Sequence, residues 1–104
     1  MGLLDFFKGA PSIEEGLEKM KEVPNAVLLD VRSEQEYGDG HLAGSINIPI
    51  NKIGGISIPK ETPLFVYCHS GARAGRAVAF LQKTGYEAVN IGGISNYNGV
   101  LVKD

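Results

Sequence analysis

The sequence has no tryptophan and only one cysteine among its 104 residues. The missing tryptophan excludes no function. A single cysteine excludes an internal disulfide, so the composition does not require an oxidising compartment. Cys68 and His69 are adjacent, and no second pair of candidate ligands is evident elsewhere, which makes a metal site a poor interpretation of this chain.

The chain also lacks an excess of one charge and any long apolar run. Its formal net charge is −2, which gives no basic footprint for nucleic acid. No stretch is long enough to span a membrane, and Met1–Lys8 has neither the basic start nor the long apolar centre of a signal peptide. We therefore expect a cytoplasmic protein that binds neither nucleic acid nor a membrane.

What the sequence does contain fits one small domain over residues 1–104. Hydrophobic residues make up 43% and charged residues 21% of the chain, an ordinary globular mixture. That length allows a single core. Residues 1–11 carry two leucines and two phenylalanines, and we expect them to be an N-terminal docking segment that packs on the domain. Membrane binding is disfavoured because the basic face it needs is nearly absent.

Apolar patterns predict that strands and helices alternate. Runs of strand length occupy residues 26–31, 45–48, 64–67 and 88–91. Capping-box patterns at Ser12–Glu15 and Ser33–Glu36 predict two helix starts. Such alternation argues for βαβ units, and hence for a parallel sheet with helices on both sides.

The stretch from Leu64 to Arg76 carries the chemistry. A short apolar run predicts a buried strand, and Cys68 follows it directly. Beyond a tight turn, one face of a helix that Gly85 would end is formed by Ala74, Ala77, Val78 and Leu81. Cys68 is thus expected at the carboxyl end of a strand, opposite the amino end of a helix. Backbone N–H groups converge there and the helix dipole favours an anion, so the site favours a thiolate.

Charged residues near this turn have more than one interpretation. The helix dipole disfavours a cation such as Arg73 in the first turn of a helix. The position of Arg73 is explained if an anion is held between its guanidinium and the amino end of the helix. Arg76 either is an ordinary surface residue or adds to the electrostatic attraction of a substrate. His69 either titrates near neutral pH and aids the thiolate or points to solvent.

Two blocks of the sequence resemble the rhodanese family of sulfurtransferases. The first, Leu29–Pro49, is similar to the family's Asp-Val-Arg and Gly-His-Ile-x-Gly-Ala-x-Asn-Ile-Pro segments. The second is Val66–Arg73 with its following helix, then Gly85–Glu87 and the pair Gly92-Gly93. The resemblance implies an α/β, three-layer rhodanese-like domain with a central, mostly parallel five-stranded sheet flanked by helices.

The resemblance also implies an activity. Cys68 would take a sulfane sulfur from a donor such as thiosulfate, become a persulfide and pass the sulfur to cyanide or a thiol, without metal or organic cofactor. A protein acceptor stays open as a partner. The substrate-binding residues that it implies are His69, Ser70, Gly71, Ala72, Arg73 and Arg76. The amides from His69 to Arg73 would hold the persulfide, and Arg73 would hold the oxygens of the donor.

Four polar residues of the first block are expected to support the structure: Asp30, Arg32, Glu36 and His41. Asp30 interrupts an apolar run, so a buried carboxylate there should have a partner. The resemblance further suggests that an Arg32–Glu36 pair fastens the loop near the active site. Mutation of these residues should lower stability more than it changes chemistry.

Two other functions compete with sulfur transfer. Phosphatases and arsenate reductases of related fold use Cys-x5-Arg, whereas this chain has Cys68-x4-Arg73, a shorter loop that disfavours them. A non-turnover sulfur carrier or a protein-binding module of the same fold stays open, because an intact loop cannot separate an enzyme from a carrier.

Overall fold

The computed structural model describes residues 12–103, so the expected docking segment at residues 1–11 lies outside the described residues. Its elements in chain order are α1 (Ile13–Met20), β1 (Val27–Asp30), α2 (Glu34–Asp39), β2 (Ile46–Asn47), β3 (Leu64–Cys68), α3 (Ala72–Lys83) and β4 (Ala88–Gly93), with short 3-10 helices at Ile50–Gly55 and Ile94–Asn96. In this part of the chain no helix is long and apolar enough to cross a bilayer.

Both predicted capping boxes are present. The Ser12 hydroxyl accepts from the N–H of Glu15, and the Glu15 carboxylate accepts from the N–H of Ser12. Ser33 and Glu36 form the same reciprocal pair at the start of α2. These helix starts are confirmed because each depends on residues only three positions apart.

The sheet has four strands in the order β2-β1-β3-β4, and every neighbouring pair is parallel. The expectation of five strands is therefore wrong for the described residues. After β4 the chain enters a 3-10 helix, and its tail adds only an isolated antiparallel bridge between His41 and Val102. Because this bridge pairs the single residue Val102 with His41, the tail does not add a strand to the sheet.

Two apolar clusters lie on opposite faces of the sheet, as a three-layer fold requires. β3 is buried at every residue, and successive side chains of a strand point to opposite faces. The cluster that contains the apolar face of α3 takes Leu64, Val66 and Cys68 from β3. The cluster with Ile13 of α1 takes Phe65 and Tyr67. The alternation along β3 therefore directs the Cys68 side chain towards α3.

Candidate active site

Cys68 is the last residue of β3, and its side chain is fully buried. Its Sγ accepts a hydrogen bond from the N–H of Gly71 at 3.0 Å and from the N–H of Ala74 at 3.3 Å. Burial alone is typical of an inert cysteine. Two N–H groups at the positive end of a helix, both directed at the sulfur, instead stabilise a thiolate.

The cysteine loop, residues 69–71, and the first turn of α3 carry the amides that are predicted to hold a persulfide. Of the predicted donors, Gly71 reaches Sγ, and Ala74 is a donor that the sequence did not indicate. Within the described residues no acceptor is found for the amides of His69, Ser70 and Arg73. Their role towards a persulfide stays a prediction.

Glycines allow the cysteine loop to lie directly against β4. Gly71 has a φ of +100°, in the left-handed region that glycine enters at low cost. A Cβ added to Gly71 would lie 3.4 Å from the Cα of Gly92, and one added to Gly93 would collide with the carbonyl oxygen of His69. Gly93 therefore has a physical reason in this close approach. Gly92, where a Cβ would meet nothing within 4 Å, has its reason in a φ of +104°.

Asn90 of β4 is a site residue that the sequence analysis missed. Its Nδ2 donates to the carbonyl of Gly71 at 3.0 Å, and its Oδ1 accepts from the N–H of Gly92 at 2.8 Å. Asn90 thus fixes the same residue that donates to Sγ. The available signal was a polar side chain within the apolar run 88–91, which calls for a partner as Asp30 does.

Arg73 forms a bidentate ion pair with Glu36 of α2. Nη1 donates to Oε1 at 2.7 Å and Nη2 donates to Oε2 at 3.0 Å. The hydrogen bonds from Arg73 are the main reason that the pKa of Glu36 is lowered to about 2. The pKa of Arg73 is raised, chiefly by Glu36 and to a smaller extent by the charge of Cys68. Arg73 therefore lies within electrostatic reach of the sulfur, while its guanidinium is already paired.

The predicted Arg32–Glu36 pair is wrong. Arg32 pairs instead with Asp30, with Nη2 2.6 Å from Oδ2 and Nε within 3.1 Å of both carboxylate oxygens. The same Nη2 donates to the carbonyl of Gly40 at 2.7 Å. The reason is burial: Asp30 is fully enclosed and needs the nearest cation, whereas Glu36 lies closer to the surface. The expectation that Asp30 has a partner is confirmed.

Among the remaining predicted residues, His41 is buried and several others are exposed. The ring of His41 stacks on that of Tyr37 with 3.7 Å between centroids, and its Nδ1 lies 2.8 Å from the Tyr37 carbonyl oxygen. The exposed residues around the cysteine loop are His69, Ser70, Ala72 and Arg76. Their roles towards a substrate stay predictions.

Sequence comparison gives a family and several relatives. The family described as Rhodanese-like domain matches residues 14–99. The adenylyltransferase and sulfurtransferase uba4 of Ogataea parapolymorpha is 40% identical over 76 residues, which cover 68% of this chain and 20% of that protein. The thiosulfate sulfurtransferase PspE of Escherichia coli is 34% identical over 73 residues, 65% of this chain and 70% of PspE.

A third relative is YrkF of Bacillus subtilis, whose name points to a sulfur carrier. It is 28% identical over 80 residues, which cover 75% of this chain and 43% of YrkF. The chain thus spans a fifth of the length of uba4 and less than half of YrkF. The fold is also similar to the crystal structure of a rhodanese-related protein from Thermoplasma volcanium, with a TM-score of 0.77 and 29% identity over 90% of this chain and 99% of that one.

Proposed function

The chain belongs to the rhodanese-like domain family, and from that premise we propose that it transfers a sulfane sulfur through a persulfide on Cys68. The observation that carries the proposal is the position of Sγ, which accepts N–H bonds from Gly71 and Ala74 at the amino end of α3. The names of uba4 and PspE, both sulfurtransferases, support it.

In the donor half-reaction, the Cys68 thiolate attacks the outer sulfur of a donor such as thiosulfate. A bond forms between Sγ and that sulfur. The bond from the sulfur to the sulfite group breaks, and the electron pair leaves on sulfite. The N–H groups of Gly71 and Ala74 stabilise the thiolate before attack, so no separate general base is needed. The amides of the loop that have no acceptor suit the negative outer sulfur of the product.

In the acceptor half-reaction, cyanide or a thiolate attacks the outer sulfur of the persulfide. The bond between that sulfur and Sγ breaks, and its electron pair returns to Sγ as the thiolate. The product is thiocyanate or a new persulfide. His69 and Ser70, which follow Cys68 directly, are exposed, so a small or a protein-bound acceptor can approach the loop from their side.

A carrier that holds sulfur without turnover is the alternative. The name of YrkF favours it, because that relative is called a sulfur carrier. A phosphatase or arsenate reductase is disfavoured by the four-residue spacing between Cys68 and Arg73.

Thiocyanate formation from thiosulfate and cyanide tests the proposal, together with mass spectrometry of the protein after exposure to thiosulfate. We expect one added sulfur on Cys68 and many turnovers, and neither in Cys68→Ser. Stoichiometric loading with slow release would favour the carrier. The persulfide mechanism would be excluded if no donor added sulfur to Cys68, or if Cys68→Ser transferred sulfur at the normal rate. Hydrolysis of a generic phosphate ester would favour the phosphatase.

A further inference from the structure

Arg73, a cation within electrostatic reach of the sulfur, is not free. Both outer nitrogens of Arg73 donate to the carboxylate of Glu36, at 2.7 and 3.0 Å. A bidentate pair of this kind uses the planar edge of the guanidinium that would otherwise match the oxygens of a sulfonate. A donor with such a group must therefore compete with Glu36 for Arg73.

Glu36 is itself held in place at the start of α2. Its Oε1, which accepts from Arg73, also accepts from the N–H of Ser33 at 3.0 Å, and the N–H of Glu36 donates to the Ser33 hydroxyl at 3.2 Å. The carboxylate is thus fixed from two elements, and the side chain is 35% exposed. An incoming anion meets a fixed negative charge beside the guanidinium.

The other charged groups near Arg73 also compensate each other. Asp30, whose charge acts on Arg73, is paired with Arg32 at 2.6 Å. Besides the exposed Arg76, what remains near the sulfur is the partial charge of the amino end of α3, about half a unit. That charge suits one anionic sulfur atom better than it suits a dianion.

We infer that Glu36 sets the donor preference of Cys68, because it occupies Arg73 and so weakens the binding of dianionic donors with sulfonate oxygens, such as thiosulfate, relative to alkyl persulfides. The inference rests on the proposed sulfur transfer and specifies its donor class. Glu36 touches neither the sulfur nor the reacting atoms, and so acts as a positioning residue that works through Arg73.

Glu36→Gln is the decisive variant. Glutamine is accepted at the third position of a capping box, so α2 keeps its start while the charge is removed. We expect the KM for thiosulfate to fall about fivefold, the ratio that corresponds to a partly exposed ion pair. The KM for ethyl persulfide should not change. Equal KM values for thiosulfate in the variant and the unmodified protein would overturn the inference.

Glu34→Gln is the matched control. It removes the same charge from the same helix, and Glu34 pairs with Lys52 at 3.5 Å rather than with Arg73. Its KM for thiosulfate should equal that of the unmodified protein. An equal fall in both variants would mean that net charge alone acts, which would contradict a specific role for Glu36.

A double-mutant cycle separates this role from a purely structural one. In an Arg73→Gln background, Glu36→Gln should no longer lower the KM for thiosulfate, because no guanidinium is left to be released. A gain that persists without Arg73 would contradict the inference. Melting temperatures of the four proteins establish that each is folded.

Sulfite binding tests the inference without turnover. In Cys68→Ser, calorimetric titration with sulfite should show about fivefold tighter binding when Glu36→Gln is added. If the unmodified protein transfers no sulfur from any donor, the proposed function fails, and this titration still decides whether Glu36 competes with anions. If transfer occurs and neither sulfite affinity nor the KM for thiosulfate responds to Glu36→Gln, only the inference on donor preference fails.

Discussion

Two side chains fix the cysteine loop and the first turn of α3, and neither of them is hydrogen-bonded to the sulfur. Asn90 reaches the carbonyl of Gly71 from β4, while Glu36 reaches Arg73 from α2. Because Gly71 donates to Sγ and Arg73 lies in the same helical turn, the position of the donors depends on residues far away in the sequence. The cysteine environment is thus set by its neighbours as much as by the loop itself.

Asn90→Ala should disturb the loop. It removes two hydrogen bonds from a half-buried position, which we expect to cost about 1–3 kcal/mol of the free energy of unfolding. The rate of sulfur loading on Cys68 should fall because the N–H of Gly71 is no longer fixed. Mass spectrometry measures this rate, which is corrected for the folded fraction. Asn51→Ala, at an exposed position, is the control. Loading at the unmodified rate in Asn90→Ala would show that Gly71 is held without it.

Glu36 also links stability to pH. Its pKa is about 2 in the folded protein against an ordinary value of 4.5, chiefly through the hydrogen bonds from Arg73. Because the folded-state pKa is the lower one, the charged carboxylate stabilises the fold above about 4.5, and this contribution is lost as the pH falls towards about 2. Since the pair is partly exposed, solvent screening keeps it to about 1 kcal/mol or less.

Thermal melts of the unmodified protein and Glu36→Gln therefore should differ slightly at neutral pH and converge in acid. The two melting temperatures should converge as the pH falls from 4.5 to about 2. A difference that stays constant through this range would mean that the pair contributes nothing to the pH dependence of stability.

At the level of elements, the end of β4 determines how closely the cysteine loop can approach the sheet. A Cβ at Gly93 would collide with the carbonyl of His69 and lie 2.6 Å from the Cα of Ser70, so backbone must move. We expect Gly93→Ala to cost at least about 2 kcal/mol in urea unfolding and to impair sulfur loading. Gly55→Ala, where a Cβ meets nothing within 4 Å, should do neither. Full loading in Gly93→Ala would contradict the argument.

The same elements show what the sequence can predict. Capping boxes and the apolar face of α3 depend on residues three or four positions apart, so both are visible in the chain and both are confirmed. The Arg73–Glu36 pair joins residues 37 positions apart, and the Asn90–Gly71 bond joins residues 19 apart. These contacts depend on how α2, α3 and β4 pack, which no local pattern encodes. The same limit explains why Arg32 was assigned the wrong partner.

For the whole molecule, the buried Asp30–Arg32 pair joins several segments. Arg32 also reaches the carbonyl of Gly40, and the side chain of Asn47 donates to the carbonyls of both Asp30 and Arg32 at 3.0 Å. β1, β2 and the end of α2 are therefore connected through one buried ion pair. Such a pair matters most when one partner is removed, because the other charge is left uncompensated.

Asp30→Asn should accordingly destabilise the entire fold by roughly 3–5 kcal/mol, measured by urea unfolding, while sulfur loading per folded molecule changes little. Glu18→Gln breaks an ion pair to Lys21 whose side chains are 72% and 70% exposed, and should leave the unfolding midpoint where it was. Undisturbed stability of Asp30→Asn with loading lost would assign Asp30 to the chemistry instead.

The alternation of side chains along β3 makes the number of its residues a constraint on activity. Tyr67 and Cys68 belong to different cores, so a one-residue insertion or deletion ahead of Cys68 would turn the thiol away from α3 and bring a phenol ring under the helix. Exchanges among apolar residues within the strand leave that direction unchanged. The direction of the thiol therefore depends on the number of residues in β3 rather than on which apolar residues fill it.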